Sequence, residues 1–392
     1  MPTTLNLGVL AHVDAGKTSL TERILFDAGV IRTIGDVDHG TTQTDTLVLE
    51  RQRGITIQSA VVSFRVGDLT CNLIDTPGHP DFIAEVERAL GVLDAVILVV
   101  SAVEGVQSQT RRLSRAIANL GLPCLIFVNK IDRMGARETD LVDEIARELQ
   151  RDLVVLSRVT DLGTRDAASA PRDLGSPRAI DDIVDVLTRH DDALLQRFVD
   201  ADGMLTGDEL SGTLREQCAR ATVTPVMFGS AMTGVGIPQL FEGLSLLAPA
   251  GKPDDDAPLA AEVFKVQRLP GGERILICRI WSGTMTVRSN VPIVRPHARD
   301  GEEIPPSKIT GIDLFRDGRA DPVPAASAGD IVRVHGLSEA RIGDWIGDVI
   351  RDRVPAFDPP VFESRVEPVD PDQRVEMNAA LADLAEIGRA HV

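Results

Sequence analysis

Ala11-His12-Val13-Asp14-Ala15-Gly16-Lys17-Thr18 is the stretch that decides how this chain folds. It follows the apolar run Leu5–Leu10 and opens a helical pattern over Lys17–Ala28, so it reads as the turn of a strand–loop–helix unit. Its spacing fits a phosphate-binding loop with Ala11 in the first glycine position. Backbone N–H groups of such a turn and of the following helix start, here Ala11 through Ser19, surround a β-phosphate. Lys17 is placed to neutralise the β- and γ-phosphates, and the Thr18 hydroxyl to bind Mg²⁺.

Further along, Ile57–Val66 and Leu69–Ile74 read as strands turning at Gly67-Asp68, and Asp75-Thr76-Pro77-Gly78-His79 follows directly. Asp75 is expected to hold a Mg²⁺-bound water. The Gly78 N–H can approach a γ-phosphate because no side chain intervenes. Ala95–Val100 and Pro123–Val128 are continuous apolar runs, the pattern of strands buried on both faces. Helical patterns near Asp81–Leu93 and Ser108–Leu120 separate the strands, so the rhythm is βαβ with a mostly parallel sheet and helices on both faces.

Asn129-Lys130-Ile131-Asp132 after the next strand selects the base. A carboxylate at Asp132 accepts from guanine N1–H and from the 2-amino group. Adenine offers no such donor pair and leaves the acceptor unpaired. Asn129 is expected on the Hoogsteen side, the Lys130 stem over the base, and a backbone N–H of Gly229-Ser230-Ala231 on guanine O6. These elements together predict a GTP-binding domain. In the loop Arg53–Ile57, Thr56 is expected to complete the Mg²⁺ shell and sense the γ-phosphate, and His79 to orient the attacking water.

Thr160–Arg178 reads as a loop by its glycines and prolines, followed by helices over Ile180–Val199 and Thr206–Ala219, a strand Pro225–Phe228 and a helix Ile237–Leu247. The segment from Asp200 to Glu209 is not a calcium loop: Leu205 stands where the glycine is required, and Ser211 where a bidentate Glu is required. A linker at 251–257 leads to short strands between turns, predicted to form a small β-barrel over 258–356. A strand Val361–Val366 and a helix Gln373–Ile387 then look like the incomplete start of a third α+β domain at 357–392. The first domain is expected to span 1–250, with an acidic helical insertion at about 137–220.

The chain has 392 residues, 43% apolar and 26% charged, with a net charge of −18. The acidic balance counts against a broad basic face for nucleic acid and against sequence-specific DNA binding. No apolar run is long enough for a membrane span. Four isolated cysteines, Cys71, Cys124, Cys218 and Cys278, suit a reducing cytoplasm better than a disulfide framework.

AHVDAGKTSLTERIL, RGITIQSA, LIDTPGHPDFIAEVERAL and FVNKIDR resemble the GTPase domain of elongation factor G and its relatives. The segment VDHGTTQTDTLVLERQRGITIQ resembles the tetracycline-resistance ribosomal protection branch of that family. The resemblance implies a ribosome-stimulated GTPase using GTP/GDP and Mg²⁺, a β-barrel second domain, and docking at the ribosome's GTPase-activating region and stalk protein as a cytoplasmic monomer. It further implies that His79 positions water, that Val13 and Ile55 form a hydrophobic gate, and that Asp14 ligates a monovalent cation. Such proteins continue through further domains that displace the drug, so the chain is expected to break early in its third domain. The alternatives are a translocation factor of the elongation factor G type, or a GTP-binding module without resistance activity.

Overall fold

Strand β1 (Thr3–Ala11) is an interior strand, third in order, of a seven-stranded sheet. This computed structural model describes residues 3–35, 60–79, 82–174, 176–200, 205–249, 251, 254–268, 273–296, 304–351, 355–357 and 366–386. Ile55 and Thr56 lie outside the described residues, as does the expected strand over Val361–Val366 except for Val366. The chain divides into two compact units. One comprises 1–60, 64–80 and 93–250, and the other 61–63, 81–92 and 251–392.

The strands after β1 are β2 (Ala60–Val66, with 61–63 counted to the other unit), β3 (Leu69–Asp75), β4 (Ala95–Ser101), β5 (Cys124–Asn129), β6 (Asp152–Val155), β7 (Ser157–Thr160), β8 (Ala168–Pro171) and β9 (Val223–Phe228). The large sheet runs β2-β3-β1-β4-β5-β9-β6. β1 pairs in parallel with β3 and β4, β4 with β5, and β9 with β5 and β6. Every residue of β4, β5 and β9 is buried, as their largely apolar sequences require of strands covered on both faces. Because β1 is followed in space by β3 on one side and β4 on the other, its carboxyl end is a topological switch point, where ligands of open α/β sheets bind.

Two expectations are corrected in the acidic insertion. The stretch expected as loop, Thr160–Arg178, contains β8, which pairs antiparallel with β7 from Ser157↔Pro171 to Thr160↔Ala168. Composition hid this strand because only a short alternation marks the hairpin, with Ser157 and Val159 buried and Arg158 and Thr160 exposed. The helix expected over Ile180–Val199 is two helices, Pro177–Leu187 and Asp192–Asp200, joined by a 3₁₀ turn at Thr188–His190. Asp191 is extended, and its carboxylate accepts the Leu194 N–H at 2.9 Å, which starts the second helix afresh. Proline at the first turn sets the earlier start of the first helix. Ile183, Leu187, Leu194, Leu210 and Leu214 form the insertion's apolar core. The last helix of this unit spans Ile237–Gly243 and tightens into a 3₁₀ turn at Leu244–Leu246.

In the second unit, β10 (Ala260–Arg268) and β11 (Arg274–Ser282) begin a set of short antiparallel strands that continues to Trp345–Gly347, the predicted barrel. Val263, Leu276, Cys278, Ile280, Ile312, Val332 and Ile346 are among its core residues. The helix Ile83–Leu90 belongs to this same unit. Arg279 donates to Val92 O at 2.7 Å, Arg351 donates to Gly91 O, and Arg351 pairs with Glu262 at 3.0 Å. The carbon centres of both guanidinium groups lie 3.6 Å from the Trp281 ring centroid, the stacking distance of a cation on an aromatic ring. Two arginines therefore meet the carbonyls that follow this helix, where the negative end of its dipole favours cations. Residues 374–386 form a further helix, after a 3₁₀ turn at 371–373.

All four cysteines are buried and free. Burial pushes the Cys71 and Cys218 thiols up to about 12, and raises those of Cys124 and Cys278 as well, so none is reactive as a thiolate. Among the described residues no helix is long and apolar enough to cross a membrane.

Candidate functional site

Parallel strands deliver their following loops to one edge of the sheet, which is why sequence segments far apart meet there. The loop after β1 turns through Asp14 at φ 66° and Gly16 at φ 92° before the helix Lys17–Asp27 begins. Gly16 is required twice over. Its backbone is left-handed, and a Cβ there would lie 2.3 Å from Asn129 Nδ2. Ala15 is buried, Val13 is exposed, and Thr18 and Ser19 are half-buried in the first helical turn.

Lys17 is drawn inward. Its Nζ lies 2.6 Å from Asp75 Oδ1, which also accepts from Thr21 Oγ1 at 3.2 Å. Both Lys17 and Asp75 are buried, so the pair sits where a charge left alone would be costly. The other carboxylate oxygen, Asp75 Oδ2, is buried and has no hydrogen-bond partner among the described residues. An unused carboxylate oxygen next to Lys17 and one residue before Thr76 suits the acceptor of a metal-bound water, so the residues present fit Mg²⁺ with Thr18. Thr76 is buried and donates its hydroxyl to Val9 O at 3.0 Å, which ties the Asp75–His79 segment to β1. Pro77 is buried, and Gly78 and His79 are half-buried. A Cβ on Gly78 would stand 3.8 Å from Lys17 Cε, so this backbone runs beside the lysine.

The base-selecting segments meet the phosphate loop through one side chain. Asn129, buried at the end of β5, donates from Nδ2 to Ala15 O at 2.9 Å and accepts the Ala231 N–H on Oδ1 at 2.9 Å. Both ends of its carboxamide have protein partners. It braces two loops. The Gly229 N–H donates to Val128 O, the Ser230 N–H to Val235 O and the Ala231 N–H to Asn129, so all three amides already have acceptors. Lys130, held at φ 70°, extends to Glu104, 3.1 Å from its carboxylate. Asp132 is half-buried just beyond Ile131, whose N–H reaches Gly229 O at 3.3 Å.

Sequence reasoning placed the helix Ser108–Asn119 but gave its first turn no part in the site. Thr110 Oγ1 lies 3.0 Å from His12 Nδ1, and Gln109 touches both Val13 and Gly78. Burial lowers the His12 pKa, favouring a neutral ring. Only the position of this helix after β4, whose end faces the same edge as β1, could have pointed to it.

The sequence matches the elongation factor Tu GTP binding domain family over residues 2–250. It is 48% identical over 386 residues to the oxytetracycline resistance protein of Streptomyces rimosus, covering 97% of this chain and 58% of that protein. To the tetracycline resistance protein TetM of Streptomyces lividans it is 41% identical, covering 98% of this chain and 59% of that one. To TetP of Clostridium perfringens it is 36% identical, covering 97% and 57%. The chain thus spans somewhat more than half the length of these relatives. The crystal structure of a Thermus thermophilus protein superposes with a TM-score of 0.81 at 22% identity, over 99% of this chain and 61% of that one, and has the same fold.

Proposed function

The chain belongs to the elongation factor Tu GTP-binding domain family, and from that membership we propose that it binds GTP and GDP through its first unit and hydrolyses GTP. The observation that carries this reading is the buried cluster at the carboxyl end of β1. Lys17 pairs there with Asp75, whose second oxygen has no partner among the described residues, and Asn129 joins the phosphate loop to Ala231.

Lys17 moves from one carboxylate oxygen to the β- and γ-phosphate oxygens, and Asp132 accepts the two guanine donors. Backbone amides of 11–16, with Ser19 at the helix start, hold the α- and β-phosphates. Thr18, Thr56 and, through a water, Asp75 would hold Mg²⁺, which would supply positive charge beside the phosphates. His79 orients a water in line with the γ-phosphorus. The water oxygen bonds to phosphorus as the bond to the β–γ bridging oxygen breaks, leaving GDP, inorganic phosphate and a proton. Val13 and Ile55 would form an apolar gate beside that water, and Asp14 would hold a monovalent cation.

The relatives are tetracycline and oxytetracycline resistance proteins. We infer for this chain a ribosomal partner: a monomer that docks in the cytoplasm on the ribosome's GTPase-activating region and stalk protein, through a GTPase domain at 1–250 and a barrel at 258–356, with 357–392 opening a third domain. Calorimetry with Mg²⁺ tests the binding. GTP and GDP bind and ATP does not compete, and Lys17→Ala abolishes binding; tight ATP binding or retention of neither nucleotide refutes it. Phosphate release with and without ribosomes tests the hydrolysis, which His79→Ala slows severely while leaving GTP bound. Ribosomes that leave the wild-type rate unchanged refute the partner.

A further inference from the structure

Gln109 stands in none of the nucleotide-binding segments, yet its carboxamide joins two of them. Its Oε1 accepts the Val13 N–H at 3.3 Å, and its Nε2 donates to Gly78 O at 2.6 Å. The orientation of the carboxamide follows from its partners, because turning it over would set oxygen against oxygen and N–H against N–H. The residue is half-buried at the second position of the helix Ser108–Asn119. That helix is itself locked to the phosphate loop by the neighbouring contact of Thr110 Oγ1 with His12 Nδ1 at 3.0 Å. Its start is also held by the Gln107 N–H, which donates to Thr110 Oγ1 at 3.2 Å. A long side chain on a loosely held helix would not determine a backbone orientation; this one is anchored on both sides.

The peptide unit between Gly78 and His79 is planar, so its C=O and N–H point in opposite directions. Holding Gly78 O therefore sets the direction of the His79 N–H and the start of the His79 side chain. Gly78 has no Cβ to restrict its own rotation, which makes an external hold on its carbonyl more consequential than at any other residue type. The same carboxamide fixes Val13 on the phosphate loop, so the segment bearing His79 and the segment bearing Val13 are spaced by one side chain.

We propose that Gln109 is a positioning residue for GTP hydrolysis, acting through the Gly78–His79 peptide to aim His79 at the attacking water. The proposal rests on the GTPase reading above. It predicts that Gln109→Met, which keeps the length and volume of the side chain but makes neither hydrogen bond, slows hydrolysis by about 10- to 100-fold, the cost of a misplaced catalytic group. GTP and GDP affinities remain within about threefold, since no phosphate or base contact is lost.

A double-mutant cycle with His79→Ala separates positioning from general loosening. If Gln109 acts through His79, Gln109→Met adds no further loss once His79 is absent. Amide hydrogen exchange over the 75–79 segment of the full chain without nucleotide gives a readout independent of activity, and it rises in Gln109→Met with the unfolding temperature unchanged. Wild-type turnover by Gln109→Met, equal slowing in both His79 backgrounds, or unchanged exchange over 75–79 overturns the proposal. Failure of the GTPase reading looks different: the wild-type chain then does not release phosphate, or His79→Ala alone leaves turnover intact.

Discussion

Replacing Asn129 by Ala removes both hydrogen bonds that join the phosphate loop to the loop after β9. Asn129, Ala15 and Ala231 are 2%, 0% and 4% exposed, so water has little access to the groups left behind. Each abandoned backbone partner costs about 1–3 kcal/mol when it stays dry. With two of them, and some relaxation of both loops, the loss is about 2–4 kcal/mol. The folded sheet does not need these loops apposed, whereas a nucleotide spanning them does. The penalty therefore falls on binding, and about 1.4 kcal/mol corresponds to a tenfold change. Affinity for a fluorescent GDP analogue is expected to fall roughly 30- to 1,000-fold, with a much smaller change in urea midpoint. Asn129→Asp is the informative companion. It keeps the acceptor for the Ala231 N–H but sets a second oxygen against Ala15 O, so it fails as badly as alanine. Nucleotide affinity within twofold of wild type in Asn129→Ala refutes the brace, and full affinity in Asn129→Asp refutes its donor half.

Gly16→Ala forces a Cβ to within 2.3 Å of Asn129 Nδ2 at a φ of 92°; strain of about 1–3 kcal/mol is expected, seen as a lower thermal midpoint together with lost nucleotide binding. Asp75→Asn leaves buried Lys17 without its carboxylate, at a cost of about 3–5 kcal/mol. Urea denaturation measures that loss, and the Mg²⁺ dependence of nucleotide binding disappears in the same variant. Two histidines titrate in opposite senses. Burial lowers the His12 pKa below its usual 6.5, so the unfolded chain takes up protons first and stability falls as pH drops below about 6.5, a loss that His12→Gln abolishes in pH-dependent melting. For His335 burial works downward, but the Asp313 and Glu273 carboxylates, each 2.9 Å away, outweigh it and raise the pKa. Its contribution is complete below pH 6.5 and fades as pH rises through the raised value, so His335→Gln destabilises more at about pH 6 than at about pH 8.5.

Much of the architecture was legible because the signals were local. Ala95–Val100 and Pro123–Val128 are apolar without a break, and no exposed strand tolerates that. The lysine-bearing turn after Leu5–Leu10 announced itself through glycine and spacing. Where the reading went astray, the deciding contact was short or distant. A single aspartate, Asp191, restarts a helix that periodicity ran through. The β7–β8 hairpin has too few residues to show its alternation among glycines and prolines.

From sequence alone came the residue types at each loop, because phosphate, Mg²⁺ and guanine each demand particular donors and acceptors at fixed offsets from a strand end. Tertiary structure alone decided which of those donors are already engaged. Hydrogen bonding is saturable, so an amide such as that of Ala231, or a carboxamide such as those of Asn129 and Gln109, takes its role from neighbours about 30 to 115 residues away, which no local pattern encodes.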